Sequence, residues 1–170
     1  MYNDSTGVTL QIRLYIETDK PQIVALMNEF QSYLLSIDST DMLAYRAESA
    51  DFFTNKLLDQ VKRKNGAVYV AEDNGNVVGF IGGFIENRTE EDEMELKNKS
   101  VGMINEFFVT DSVRGKGVGS NLLKTLEDYF TQQQCAVVKL GAFADNNLAR
   151  KFYSKNGYKD WSIFQFKKLN

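Results

Sequence analysis

The run Ile104-Asn105-Glu106-Phe107-Phe108-Val109-Thr110, followed by Arg114-Gly115-Lys116-Gly117-Val118-Gly119-Ser120 and Asn121-Leu122-Leu123, reads as strand, glycine-rich turn and helix. The first part is rich in β-formers. After the turn, Val118, Leu122, Leu123, Leu126 and Phe130 recur at helical spacing and make one apolar stripe. A strand that feeds a helix through glycines presents unpaired backbone N–H groups and the positive end of a helix dipole, so the turn suits phosphate. It is not a P-loop, because Lys116 is followed by Gly117 where that loop needs Ser or Thr. A dinucleotide fingerprint beginning at Gly115 would put its third glycine at Ser120, and the turn comes too late in the chain for a first βαβ unit.

Outward from this unit the pattern is mixed. Thr9 to Ile16 alternates as a strand. Two helical patterns follow, one from Pro21 through Leu34 and one from Asp51 to Arg63, the second closed by Asn65-Gly66. Ala67 to Glu72 and Val77 to Ile85 flank Asp73-Asn74-Gly75-Asn76 and form a predicted hairpin. The polar stretch Thr89 to Ser100 reads as a loop, Gly102 to Val109 as a fourth strand and Ala136 to Phe143 as a fifth. Asn147 to Lys155 reads as a short helix, and Trp161 to Leu169 as a last strand. The expectation is one α/β domain over residues 9–170 behind a loose tail, residues 1–8.

Composition narrows the chemistry. The chain has 170 residues, 43% of them hydrophobic and 25% charged, which suits one globular domain. A net charge of -3 offers no basic footprint for nucleic acid. Neither a signal-peptide pattern nor a run of ~20 apolar residues is present, and with Cys135 as the single cysteine the expectation is a cytoplasmic protein that does not enter a membrane. Histidine is absent, which removes the usual base of a Ser or Cys triad and the commonest zinc ligand; no metal is expected. Cys135, with no imidazole to activate it, reads as structural.

Two spaced motifs sharpen the phosphate reading. Arg114, Gly117 and Gly119 satisfy R-x-x-G-x-G, and Asn146-Asn147-Leu148-Ala149-Arg150-Lys151-Phe152-Tyr153 with Asn156-Gly157-Tyr158 is similar to N-x-x-A-x-x-F-Y followed by a glycine-aromatic pair. In this order they resemble the GNAT superfamily of N-acetyltransferases, from Thr9 to Leu169 and most strongly from Ile104 to Tyr158. The resemblance implies a single, largely antiparallel twisted sheet of about six to seven strands, flanked by helices, with strands four and five as a parallel central pair. It implies acetyl-CoA as donor and an amine as acceptor, and it is compatible with a homodimer.

Site residues follow from the same resemblance. Phe107, Phe108 and Val109 would offer backbone groups to the pantetheine arm, and Arg114, Gly115, Lys116, Gly117, Val118, Gly119 and Ser120 would cradle the pyrophosphate. Asn146 would bond the pantetheine, although Asn147 could replace it and either could cap the helix. Acetyl transfer needs a neutral amine, and neutralising one with a pKa of ~10.4 at pH 7 costs about 4.6 kcal/mol. Glu106 is the candidate base, acting directly or through water, with a solvated or substrate-binding carboxylate as the alternative. Tyr153 matches the tyrosine that implies an acid for the departing sulfur; a core aromatic is its alternative. Tyr33, Tyr45, Phe52 and Phe53 are candidates for acceptor walls or for core. The acidic run Glu90, Glu91, Asp92, Glu93 and Glu95 reads as a solvated loop or a lure for a cationic amine. A polyamine, amino acid, aminoglycoside-like drug or peptide amine remains open as acceptor, and so does a non-catalytic acyl-CoA sensor of the same fold.

Overall fold

The structure, a computed structural model, describes residues 2–3, 9–95, 97 and 100–169. Six strands form one sheet in sequence order: β1 (Tyr2–Asn3), β2 (Thr9–Leu14), β3 (Ala67–Asp73), β4 (Asn76–Ile85), β5 (Val101–Val109) and β6 (Val137–Leu140). Neighbours pair antiparallel except β5 and β6, which are parallel. Helices α1 (Lys20–Ile37) and α2 (Ser49–Arg63) lie between β2 and β3, α3 (Glu90–Glu95) between β4 and β5, α4 (Val118–Gln132) between β5 and β6, and α5 (Asn147–Lys155) after β6.

Local chemistry accounts for the joints. In the β3–β4 hairpin, Asn74 (φ 49°) and Gly75 (φ 81°) take the two left-handed positions that match the twist of the strands. Asp19, buried at the start of α1, accepts hydrogen bonds from Arg13 at 2.7 and 2.8 Å and from the Ile16 amide at 2.9 Å, while Arg13 also donates to Glu72 on β3. The core has two layers. One face of the sheet packs Ile81, Ile104 and Val109 on Leu122, Leu123, Leu126 and Phe130 of α4. The other packs Val68, Val70, Phe80 and Phe108 on Ile23, Met27 and Leu57 of α1 and α2. Gly102 lets α4 approach β5: a Cβ there would sit 2.5 Å from the Phe130 ring.

Four expectations change. Tyr2–Asn3 joins the sheet by pairing with Thr9 and Leu10, so these two residues are not a loose tail; residues 1 and 4–8 lie outside the described residues. The stretch expected as a loop contains α3, started by a reciprocal cap in which the Thr89 amide donates to Asp92 and the Asp92 amide to the Thr89 hydroxyl, with acidic residues at the positive end of the helix. Residues Trp161–Leu169 form no strand. Among the described residues the parallel β5–β6 pair therefore stands at the end of the sheet and not at its centre.

Candidate active site

The parallel pair opens a cleft. β5 and β6 are paired only from Val101–Ile104 against Val137–Leu140. Beyond that point β5 runs on to Val109, whereas Gly141 to Phe143 leave the sheet. The gap so formed holds about 450 Å³, walled by α1 (Met27, Phe30, Gln31, Leu34), the α1–α2 connection (Leu43, Tyr45), Phe53 of α2, Ile104 to Phe107, Leu140 to Phe143, and Asn146, Ala149 and Tyr153.

A bulge decides which side chain points into it. Gly82 pairs with Glu106 but Gly83 pairs with Ile104, so Asn105 is the extra residue in β5. Before it, Ile104 faces α4; after it, Val109 faces α4 and Phe108 faces α1. An unbroken two-residue alternation would leave Glu106 on the face of Ile104. The bulge turns it to the face of α1 and α2, where bulges beside active sites commonly re-aim a side chain. Burial in this largely apolar cleft pushes the Glu106 carboxyl up to about 7, opposed by the charge of Lys56. Asn105 donates a hydrogen bond to its Oε1 at 3.2 Å.

Tyr153 stands across the cleft on α5, its ring 6.4 Å from Phe107 and 5.8 Å from Tyr158. Burial, with the Glu106 charge as a second cause, raises its phenol to about 12. Tyr45 is also raised, first by burial and then by Glu106 and Asp38. These shifts tie Glu106, Tyr45 and Tyr153 to one electrostatic neighbourhood.

The turn after β5 is a separate backbone feature. Gly115 (φ 77°) and Gly117 (φ 83°) are left-handed, and Gly117 caps α4 without any side-chain hydrogen bond. The first turn of α4 carries no acidic residue and its cap makes no side-chain hydrogen bond, which leaves its leading amides for an anion. A Cβ on Gly115 or Gly117 would have open space around it, so conformation and not crowding within the protein selects glycine. This arrangement fits a pyrophosphate. Val118 is buried in the α4 core, Ser120 and Lys116 are exposed, and Phe108 and Val109 bury their side chains and leave only backbone to offer.

Arg114 is engaged within the protein. It donates from Nε to the Val109 carbonyl at 3.0 Å, pairs with Asp111, and lies 5.5 Å from both the Tyr33 and Phe108 ring centroids. Asn146 caps α5, accepting from the Ala149 amide at 3.1 Å and the Tyr33 hydroxyl at 3.2 Å. Of the aromatic wall candidates, Tyr45 and Phe53 line the cleft; Tyr33 braces Arg114 and Asn146, and Phe52 is exposed beside Phe53. Among the described residues none of α3 lines the cleft, and neither does Cys135, which packs at the end of α4. Asn105, Gln31 and Phe143 escaped the sequence reading: the bulge leaves no periodic signal, and the other two are brought in by elements distant in sequence.

Comparisons with known proteins agree with this geometry. The pattern of the acetyltransferase (GNAT) family matches residues 23–158. An uncharacterized N-acetyltransferase of Methanocaldococcus jannaschii, MJ1530, is 34% identical over 125 residues, 73% of this chain and 72% of the relative. The uncharacterized N-acetyltransferase YhfO of Bacillus subtilis is 25% identical over 95% of this chain and 97% of its own. In fold, the chain is similar to the aminoglycoside N-acetyltransferase AAC(6')-Iy solved with CoA (TM-score 0.71, 16% identity, 98% of this chain and 99% of that one). It is also similar to the BH1408 protein of Bacillus halodurans (TM-score 0.79, 15% identity, 94% and 99%). The chain belongs to the acetyltransferase (GNAT) family and is an acetyl-CoA-dependent acyltransferase.

Proposed function

We propose that the protein transfers an acetyl group from acetyl-CoA to the primary amine of a small molecule or peptide by direct attack, with Glu106 as base and Tyr153, in place of a full acid, as hydrogen-bond donor to the departing sulfur. The observation that carries this reading is the bulge at Asn105, which turns a carboxyl held near 7 into the cleft at the fork of β5 and β6. Half ionised at neutral pH, Glu106 is poised to take the ammonium proton, directly or through water; the freed lone pair then attacks the acetyl carbon, the carbon–sulfur bond breaks, the nitrogen sheds its second proton to water and the thiolate draws one from water. Tyr153 keeps its proton to about 12. Full transfer from such a phenol to a thiolate whose conjugate acid lies at ~8.5 is uphill, so Tyr153 serves chiefly as a hydrogen-bond donor to the developing sulfur charge. The turn from Arg114 to Ser120 holds the pyrophosphate with its backbone. Arg114 acts as the brace of that turn, Asn146 as the cap that fixes α5 and so Tyr153, and Lys116 as the exposed cation beside the phosphates.

The cleft also bears on the acceptor. Among the described residues Glu106 is the one charged residue that lines it, and Phe30, Tyr45, Phe53, Phe107 and Phe143 supply aromatic walls. A single amine on an apolar body suits this lining better than a polycation, whose further charges would have no partner there. The experiment is release of free CoA thiol by purified protein with acetyl-CoA and a panel of arylalkylamines, amino acids, polyamines and aminoglycosides. Amine-dependent release, strongest with arylalkylamines, is expected. Acetyl-CoA binding with no release from any amine would favour the non-catalytic sensor.

A further inference from the structure

Helix α1 lines the cleft with Met27, Phe30, Gln31 and Leu34, the spacing by which a helix turns one stripe toward a core. Three of the four are apolar. Gln31 is the exception, yet it is only 5% exposed. Its side chain makes no hydrogen bond among the described residues. A carboxamide carries an acceptor oxygen and two N–H donors, and leaving these unpaired in apolar surroundings costs more than a made hydrogen bond contributes. A leucine at this place would complete the stripe without that cost.

The other two carboxamides of the cleft are engaged within the chain. Asn105 donates to Glu106 at 3.2 Å, and Asn146 accepts from the Ala149 amide and the Tyr33 hydroxyl. Thr54 and Gln60 also bury an oxygen without a partner, but neither lines the cleft. Gln31 is therefore the buried amide that faces the cleft with its pairing capacity unused. It also stands close to the base. Its neighbour Phe30 packs 5.4 Å from the ring of Phe108, two residues beyond Glu106 on β5. Two residues of strand span about 7 Å, so Glu106 and Gln31 lie within reach of one small molecule.

A buried group in need of a hydrogen bond selects by penalty, favouring a ligand that supplies the bond over an analogue that leaves the group unpaired. A carboxylate does not suit this position. Glu106 is the one charged residue that lines the cleft among the described residues, so a second anion would enter with no cation to meet it. A neutral group remains. We infer that Gln31 determines acceptor specificity: its amide hydrogen-bonds a hydroxyl or carboxamide carried by the same amine whose nitrogen faces Glu106. This rests on the amine occupying the cleft, as proposed above, and narrows its class to amines that bear such a neutral group on their apolar body.

The test compares five amines that share a phenylethyl body. Phenethylamine has no further polar group, tyramine and phenylalaninol add a hydroxyl, phenylalaninamide adds a carboxamide, and phenylalanine adds a carboxylate. Thiol release with acetyl-CoA gives kcat/KM, and calorimetry on the protein saturated with CoA gives Kd. At least one of the hydroxyl or carboxamide amines should exceed phenethylamine by about 5–150-fold in both quantities, and phenylalanine should not. Gln31→Met keeps the length of the side chain and removes its amide, so it should erase that preference and leave the Kd for CoA as in wild type. A wild type that binds none of the five, binds them alike or prefers phenylalanine overturns the inference. So does a Gln31→Met chain that keeps the preference, or one that loses CoA binding instead. The wild-type panel decides by itself if the variant fails to fold. Preferential binding without thiol release would overturn the catalytic reading and leave this one standing; thiol release without the preference would do the reverse.

Discussion

In the proposed donor site, the turn after β5, the working parts would be backbone groups, set by Gly115 and Gly117 in left-handed conformations and by the start of α4, which has no side-chain cap. In the proposed acceptor site, the cleft, they would be side chains brought from α1, the α1–α2 connection, α2, β5, the end of β6 and α5. The first is a local device within a few consecutive residues. The second exists only when six parts of the chain meet, and its central carboxyl depends on a one-residue irregularity in β5. The donor end is thus fixed by conformation, and the acceptor end by packing and burial. Substitutions should separate the two: changes in the turn should act on acetyl-CoA, and changes in the cleft on turnover.

The largest effect belongs to Glu106. Glu106→Gln is expected to lower kcat by about 10²–10⁴-fold, the range for a positioned general base, with little change in the KM for acetyl-CoA. Steady-state kinetics check both; a large rise in that KM would blur the division between the two ends.

The same substitution should stabilise the fold, because burial is unfavourable to the ionised carboxyl. Its pKa lies near 7 when folded and near 4.5 ordinarily, so between these values the folded chain holds more protons and stability falls as pH rises. At pH 8, Glu106→Gln should therefore gain roughly 2–3 kcal/mol over wild type, and the gain should vanish by pH 4. Urea denaturation at one protein concentration across pH measures it. Tyr153→Phe is expected to cost kcat about 10²-fold, the low end for proton-transfer groups, because a hydrogen bond and not a full proton is lost. Unchanged turnover would leave Tyr153 as a packing residue.

Gly117→Val gives the smallest effect and the most selective one. A branched side chain at φ 83° carries about 1–3 kcal/mol of strain. That strain should raise the KM for acetyl-CoA about 5–150-fold and spare kcat. Isothermal titration with CoA provides an independent reading.

How much of this could be read from residues alone follows the same division. The hairpin at Asn74-Gly75, the turn and the stripe of α4 are local patterns, and each stands where its residues indicate. The α3 helix was hidden because the Thr89–Asp92 cap is short and the stretch is polar throughout. The bulge at Asn105 was hidden because it breaks the alternation from which a strand is read. Tyr33 and Phe52 carry the same aromatic signal as Tyr45 and Phe53, yet only tertiary packing sorts brace and surface from wall. Trp161 to Leu169 is strand-like in composition, yet it pairs with no sheet edge among the described residues, because composition alone does not supply the edge a strand needs.

The most direct measurement is the pH dependence of kcat at saturating acetyl-CoA and amine, for wild type and for Glu106→Gln. Ionisation of Glu106 switches the base on, so kcat should climb through an inflection near pH 7 in the wild type, and the variant should lack that inflection. A wild-type profile without an inflection near 7, or a variant that retains it, would contradict the assignment of Glu106 as the base.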